Sequence, residues 1–547
     1  MPNVTPLVAK VDRVFAAFDS PGSPGGAVAV VKDGEILHKQ GYGLANLETG
    51  TPNLPSTVFN IGSMAKQFTA FAIALLADEG RLSLDDDLRS HLPDMPDLGG
   101  TITIRHLIHH TSGMRGSFPE LLALAGWRDT DATTSDDVYN LLKAQRALNF
   151  PPGEEHLYVN SNYLLLALVC QQVSGQTFAE FCQERIFEPL DMDHTLVNDS
   201  FYKLIPGRAS GYYQDEGAWF NAPLTDSVIG STNVYSTVQD LARWDRNFYG
   251  GQVGGPTVVE SIHQAGRLSD GTVLDYAFGL MVGPTHRHRG WQIVEHGGSQ
   301  GGYSSWMVRF PELQLSVVVL FNLFMWEMRE YALQVADLFL EDHPSAAGVD
   351  ERAEPSQTAS PIELSTEHMA SLSGTYFHAG RAVIREITVA GDRLQFRGLD
   401  LLPLSKTLFC FKVEPETLVE FNLSTQERAV AMKTITASGE YGYERVETVQ
   451  PLPGQLREYA GRYYSPELDV YWTLVAGDGH LVAKRHKYVD SKLSPVFVDA
   501  FSDDWQPIMG YPATYLAVFQ RDERNAISGL RVSGTRVRNL KFEKLDP

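Results

Sequence analysis

The 547-residue sequence predicts a multidomain fold: an α+β region over residues 1–343, a linker at 344–361, and two small antiparallel β-barrels at 362–449 and 455–547. Three observations lead there. Up to residue 343, apolar helical stretches mix with short strand-like runs, and the overall length suits two to four domains. Residues 344–361 are rich in Pro, Ala, Ser and Glu, as a linker is. Beyond them helical periodicity fades into short alternating runs separated by turn residues, and Leu372-Ser373-Gly374-Thr375-Tyr376 is echoed by Tyr459-Ala460-Gly461-Arg462-Tyr463-Tyr464.

Taken in order, the elements are as follows. Residues 59–62 lead into an apolar helix over 67–78, stopped by Gly80. Asn149-Phe150-Pro151-Pro152-Gly153 reads as a loop, and 163–173 as an apolar helix. Gln292-Ile293-Val294-Glu295 reads as a strand ended by His296-Gly297-Gly298, and 302–311 as a second strand ended by Pro311. A third strand is expected over 315–321 and a helix over 326–341. In the repeated region, 450–454 separates two units of short strands, such as 470–475, and two barrels account for them.

Three motifs carry the chemistry: Ser63-Met64-Ala65-Lys66 heading the first helix, then Tyr158-Val159-Asn160, then His296-Gly297-Gly298. Residues three apart share a helix face, so Lys66 can reach the Ser63 hydroxyl. That hydroxyl is a poor nucleophile without a base, and the positive end of the helix dipole favours charge developing on it. An ammonium cannot accept a proton. Lys66 must therefore be neutral through burial and nearby positive charge, or stay charged and depress the pKa of a second base, for which Tyr158 is the natural candidate. The spacing leaves both open. Asn160 would bond Lys66 or a substrate carbonyl. Gly297 and Gly298 let a substrate backbone approach closely, and the Ser299 amide can pair with that of Ser63 as an oxyanion hole. The set points to a serine hydrolase that works through an acyl-enzyme on Ser63.

These motifs resemble the serine β-lactamase and penicillin-binding protein superfamily, most closely its class C branch. Supporting segments are 25–34, similar to that family's opening hairpin with Asp33-Gly34 as the turn, then 81–86, 104–114 and 235–241. The resemblance implies an antiparallel sheet flanked by helices plus an all-helical subdomain. One position departs from it: the third motif usually begins with a lysine that helps bind a substrate carboxylate, and here it is His296. That variant, with two appended barrels, resembles bacterial D-aminopeptidases. It implies an aminopeptidase or amidase that releases N-terminal, D-configured residues. A carboxylesterase, or a β-lactamase or DD-peptidase-like hydrolase, is the alternative reading on the same residues. A non-catalytic binding protein that kept the scaffold is the third, and the intact Ser63, Lys66 and Tyr158 oppose it. In the D-aminopeptidase family a loop of the last barrel reaches the site and restricts the substrate's amino end. Lys484-Arg485-His486-Lys487, or the following 490–495, is the candidate for that loop.

Composition narrows the partners. A net charge of −22 disfavours nucleic acid and anionic membrane, which need a basic surface. No apolar run approaches the ~20 residues of a membrane span. Three scattered cysteines (170, 182 and 410) and the lack of a secretory leader suggest a reducing, cytoplasmic setting. The expected partner is a small peptide, amide or ester, with a homodimer left open and no cofactor or metal. Gly297-Gly298-Ser299-Gln300-Gly301 matches a nucleophile-elbow pattern, but a strand rather than a helix follows it. His106, His109 and His110 lack the Glu that a zinc-peptidase helix carries beside its first histidine. Asp85-Asp86-Asp87 reads as an acidic helix entry.

Overall fold

The computed structural model describes residues 5–128, 130–283, 286–341, 362–396, 398–412, 417–436, 439–487, 489–505 and 513–545. The expected linker at 344–361 lies outside them. A first helix, α1 (Thr5–Val14), precedes the hairpin β1 (Gly26–Lys32) and β2 (Glu35–Tyr42). The two-residue turn between these strands has φ of 52° at Asp33 and 79° at Gly34, the left-handed pair that matches strand twist. Later come α2 (Lys66–Asp78), α3 (Asn160–Ser174) and α4 (Val238–Gly250). The region closes with β3 (Val294–Gln300), β4 (Tyr303–Phe310), β5 (Leu315–Phe321) and α5 (Met328–Leu340).

The five strands form one antiparallel sheet in the order β3-β4-β5-β1-β2. Successive side chains of a strand point to opposite faces. Val28, Val30, Val317 and Val319 accordingly pack beneath α1 and α5 with Val11, Phe15, Ala332 and Val335. Ala27, Ala29, Val318 and Leu320 face the other way, into the core that holds α2, α3 and α4. With both faces covered, β1 and β5 read as unbroken apolar runs. Helix α2 is buried around nearly its whole circumference, and the Trp244 ring of α4 meets those of Phe68, tilted, and Phe71, edge-on, at 4.7 and 5.0 Å.

Residues 374–446 and 461–544 each close into an eight-stranded antiparallel barrel. The internal echo in the sequence is a structural one. In each unit a short helix, Thr366–Leu372 or Pro453–Tyr459, runs into the first strand through a glycine with φ near +145°: 148° at Gly374 and 143° at Gly461. A buried tyrosine then bonds back to the helix, Tyr376 to the Leu372 carbonyl at 2.5 Å and Tyr463 to the Tyr459 carbonyl at 2.7 Å.

The second barrel is bolted to the first domain. Leu121 and Leu124 pack into its core with Trp472 and Phe542, and the Trp472 indole N–H donates to the Leu124 carbonyl at 2.9 Å. Arg538 pairs with both oxygens of Glu155 at 3.0 Å, and Arg115 pairs with Glu467 in a buried ion pair. No helix among the described residues is long and apolar enough to cross a membrane. Cys170, Cys182 and Cys410 are free and buried.

Candidate active site

Ser63 lies in a tight turn, Gly62–Ala65, that winds directly into α2. This turn presses on β3 with no side chain between. A Cβ on Gly298 would fall 2.1 Å from the Ile61 carbonyl oxygen and 2.6 Å from the Ser63 nitrogen. A Cβ on Gly62, whose φ is +52°, would fall 2.5 Å from the Ser299 nitrogen. Two glycines facing each other thus bring the main-chain nitrogens of Ser63 and Ser299 into one corner. The Ser305 hydroxyl, from β4, locks the contact by donating to the Ile61 carbonyl at 2.8 Å. The strand differs here from the expected one. It runs through Gln300, so His296-Gly297-Gly298 lies inside β3 and not at its end, because residues 294–300 stay paired to 303–309 of β4 throughout.

Lys66 is fully buried, and its Nζ has three neighbours: Ser63 Oγ at 3.0 Å, Asn160 Oδ1 at 2.9 Å and the Ser231 carbonyl at 2.9 Å. The last two can only accept. Asn160 is held in that orientation because its Nδ2 donates to the Phe118 carbonyl at 3.0 Å. Two N–H bonds of Lys66 are therefore committed, and the third position of the nitrogen faces Ser63. An amine presents its lone pair there. Burial, followed by the positive charge of Arg536, drives the Lys66 pKa well below its ordinary value and so favours that neutral form.

Tyr158 stands over the same group, with Lys66 Nζ 4.8 Å from its ring centroid. Behind it is a buried aromatic cluster. The His110 ring is 4.4 Å from that of Tyr158, and its Nδ1 accepts from the Val159 amide at 3.3 Å and from Asn162 at 3.2 Å. His296 is committed on both nitrogens. Its Nδ1 is 2.6 Å from the Gly297 carbonyl, which can only accept, so Nδ1 carries the proton. Its Nε2 is then left to accept from the Tyr276 hydroxyl at 3.2 Å. Burial and the neighbouring Lys66 lower the His296 pKa to about 4, so it is neutral at pH 7.

All three domains line the resulting cleft, whose volume is about 1050 Å³. Ser63, Tyr158, Asn160 and Ser299 lie along it. Lys66, His296, Gly297 and Gly298 stand behind its wall. Among the acidic groups that line it, two that sequence reasoning missed are buried, Glu120 and Asp226. Glu120 is buried with Oε1 held by Arg536 at 3.0 Å, and its Oε2 has no hydrogen-bond partner. Asp226 accepts from Asn233 and Gln300, and burial raises its pKa to about 6. Tyr276, Glu120 and Asp226 sit in no recognisable motif. His110 lies within the segment 104–114, but only its left-handed backbone, with φ of 56°, turns it inward.

From the last barrel it is Thr535 and Arg536 that line the cleft among the described residues, and the Arg536 guanidinium stands 5.3 Å from the Tyr158 ring. The described cleft lining does not take in 484–487, although the segment ends beside it, against Trp127, which does line the cleft. Arg485 is buried within the barrel against Asp503 and Ser491. Lys484 pairs with Asp490 at 3.5 Å. The His486 main chain packs on Gly126, and Lys487 stands 5.3 Å from the Trp127 ring. Residues 491–497 form a barrel strand. The turn before the last strand packs closely on Gly116, where an added Cβ would fall 2.8 Å from Arg536 Cβ. The other histidines serve structure. His106 completes the N-terminal cap of a helix that ends at Ile108, and His109 packs on Phe278. Asp87 caps the helix Leu88–His91, and Asp85 pairs with Arg105 at 2.8 Å.

A family model described as Beta-lactamase matches residues 11–340. A curated D-aminopeptidase of Gluconobacter oxydans (strain 621H) is 29% identical over 469 residues, 85% of this chain and 83% of that one. A D-aminopeptidase of Brucella anthropi is 26% identical over 543 residues, 96% of each chain. Among solved structures, the octameric penicillin-binding protein homologue from Pyrococcus abyssi superposes with a TM-score of 0.56 at 23% identity, over 80% of this chain and 100% of that one. The D-amino acid amidase from Ochrobactrum anthropi SV3 does so with a TM-score of 0.52 at 18% identity, over 61% and 99%. At those identities the two structures speak to the fold alone. The family match spans more than half of the sequence and takes in Ser63, Lys66, Tyr158 and His296, so the chain belongs to the β-lactamase family.

Proposed function

We propose that the protein is an aminopeptidase or amidase that transfers the N-terminal residue of its substrate, in the D configuration, to Ser63 and then to water. The observation that carries this reading is Glu120: a buried carboxylate on the cleft that holds Ser63, with one oxygen unpartnered. A free α-ammonium reaching Glu120 would give that second oxygen the partner it lacks beside the Arg536 ion pair, because a buried acceptor left without a hydrogen bond is costly. The D-aminopeptidase of Brucella anthropi, similar along 96% of its length, supports the choice and is the ground for the stereochemistry. His296 opposes the alternatives. It is neutral and spent on protein partners, and so offers no cation to the carboxylate of a β-lactam or of a peptide C-terminus.

The steps follow from the geometry. Neutral Lys66 accepts the Ser63 proton as Oγ attacks the substrate carbonyl. The oxyanion is received by the N–H groups of Ser63 and Ser299, each such donor contributing about 2.7–4 kcal/mol. Tyr158, beside Lys66, gives its hydroxyl proton to the departing nitrogen and takes in return the proton that Lys66 holds. The amine leaves, and water hydrolyses the ester by the same path reversed. Turnover of D-alanine p-nitroanilide well above that of its L isomer is the expected result. Equal turnover of the two, or none of either, would discard the reading.

Two further outcomes are expected. Glu120→Gln removes the charge that receives the ammonium, worth roughly 1.5–3 kcal/mol. Its kcat/KM on D-aminoacyl amides should fall about 10- to 150-fold, with a much smaller change on p-nitrophenyl butyrate, which has no amine. Arg536→Gln removes a positive charge that lowers the Lys66 pKa. The pKa then rises, and the acid limb of the pH–kcat/KM profile, where Lys66 becomes protonated and inactive, should move to higher pH. A limb that stays in place or moves down would take Lys66 out of the base role.

A further inference from the structure

The cleft is larger than one aminoacyl group requires. Its 1050 Å³ lies at the top of the range for small-molecule sites, and it does not stop at the first domain. Besides Ser299 its lining takes in Gln300 and Gly301 at the end of β3, Phe324 and Trp326 just after β5, and Phe396 and Leu399 of the first barrel. Phe396 and Leu399 flank the tip of a hairpin, Arg393–Phe396 and Leu399–Pro403, in the first barrel. Phe324 and Trp326 follow β5, their rings 5.4 Å apart, and Trp326 is 45% exposed.

The direction of the cleft says which part of a substrate would lie in this arm. Tyr158 faces His110, Tyr276 and His296, at the opposite end of β3. With the carbonyl held between Ser63 and Ser299, a leaving group protonated by Tyr158 departs on that side. The acyl substituent then extends toward residues 300–301 and the aromatic arm.

We propose that this arm is the acyl-side specificity pocket, that the first barrel forms its end wall through Phe396 and Leu399, and that it selects acyl groups with long apolar or aromatic side chains. The proposal rests on the acyl-enzyme reading above and deepens it: amides of bulky apolar residues such as D-phenylalanine become the preferred substrates, with D-alanine still turned over above its L isomer but more slowly than D-phenylalanine. It also gives the first barrel a part in recognition, in addition to the contact that the last barrel makes through Arg536.

The test reads ratios in the full-length protein. In the wild type, kcat/KM should rise from p-nitrophenyl acetate to butyrate to octanoate, and from D-alanine to D-phenylalanine p-nitroanilide. Leu399→Asp, on the barrel wall, and Trp326→Ser, on the opposite and partly exposed wall, should each lower the octanoate-to-acetate ratio by roughly tenfold. Two variants in different domains guard against one failing to fold. The esters carry no amine, so they separate the two ideas. Length-dependent ester turnover with inert aminoacyl amides overturns the aminopeptidase reading and leaves the pocket standing. A flat or falling ester series, absent ester turnover, or ratios unmoved in the folded variants overturns the pocket.

Discussion

Replacing Lys66 with Met should cut kcat/KM by a factor on the order of 10⁴ or more, and Ser63→Ala should do the same while abolishing every covalent adduct seen by intact-mass analysis. Combining the two should be no worse than either alone, since residues that act as one unit lose their effect together. Met keeps most of the volume of the lysine stem but cannot donate to Asn160 Oδ1 or to the Ser231 carbonyl, both now bonded to Nζ. The substitution also has a signature apart from turnover. In the unfolded chain Lys66 holds its proton up to its ordinary pKa, whereas the folded chain releases it at lower pH. Between those two values the unfolded state binds more protons, so wild-type stability gains from this residue as pH rises. The Met variant lacks that contribution, and its Tm should climb less than the wild type's as pH is raised from neutrality toward about 10. Wild-type turnover in either single variant, or an adduct that persists in Ser63→Ala, would end the acyl-enzyme proposal.

Much of this was legible before any coordinates because the chemistry is written in local patterns. Ser63 and Lys66 are three residues apart, and spacing alone puts them on one face. The barrels announced themselves through their echo, whose physical content is a glycine with left-handed φ and a tyrosine bonding back to the helix in each copy. What was not legible is what the tertiary contacts decide. Glu120 and Arg536 are 416 residues apart, and neither lies in a pattern that periodicity or motif could pick out. Lys484-Arg485-His486-Lys487 stands out as a charged turn, yet charge density does not say which barrel turn lines the cleft: 484–487 meets the first domain at Gly126 and Trp127, while Thr535 and Arg536 are in the described lining. His296 was legible as a departure from lysine but not in its consequence, because its neutrality depends on Tyr276, Lys66 and burial, which the sequence does not display.

Gly298→Ala should damage turnover severely for a single added methyl. The added carbon would lie 2.1 Å from the Ile61 carbonyl oxygen and 2.6 Å from the Ser63 nitrogen, and both are main-chain atoms that cannot swing aside. Relief requires β3 and the Ser63 turn to separate, which draws the Ser299 nitrogen away from that of Ser63. The loss of one oxyanion donor, about 2.7–4 kcal/mol, corresponds to a fall of roughly 10²–10³ in kcat. Gly297→Ala is the control one residue away on the same strand. Its added carbon would meet the Trp306 ring, 2.1 Å from Cε3, on the opposite face of β3. That ring is half-buried side chain, held by a 2.8 Å bond from its indole N–H to Glu295, and it can move outward without disturbing Ser63. A far larger kcat loss for Gly298→Ala than for Gly297→Ala, with both proteins folded by circular dichroism, is the expected pattern. Equal losses would mean that β3 is needed only for its packing, and that the Ser299 amide does not receive the oxyanion.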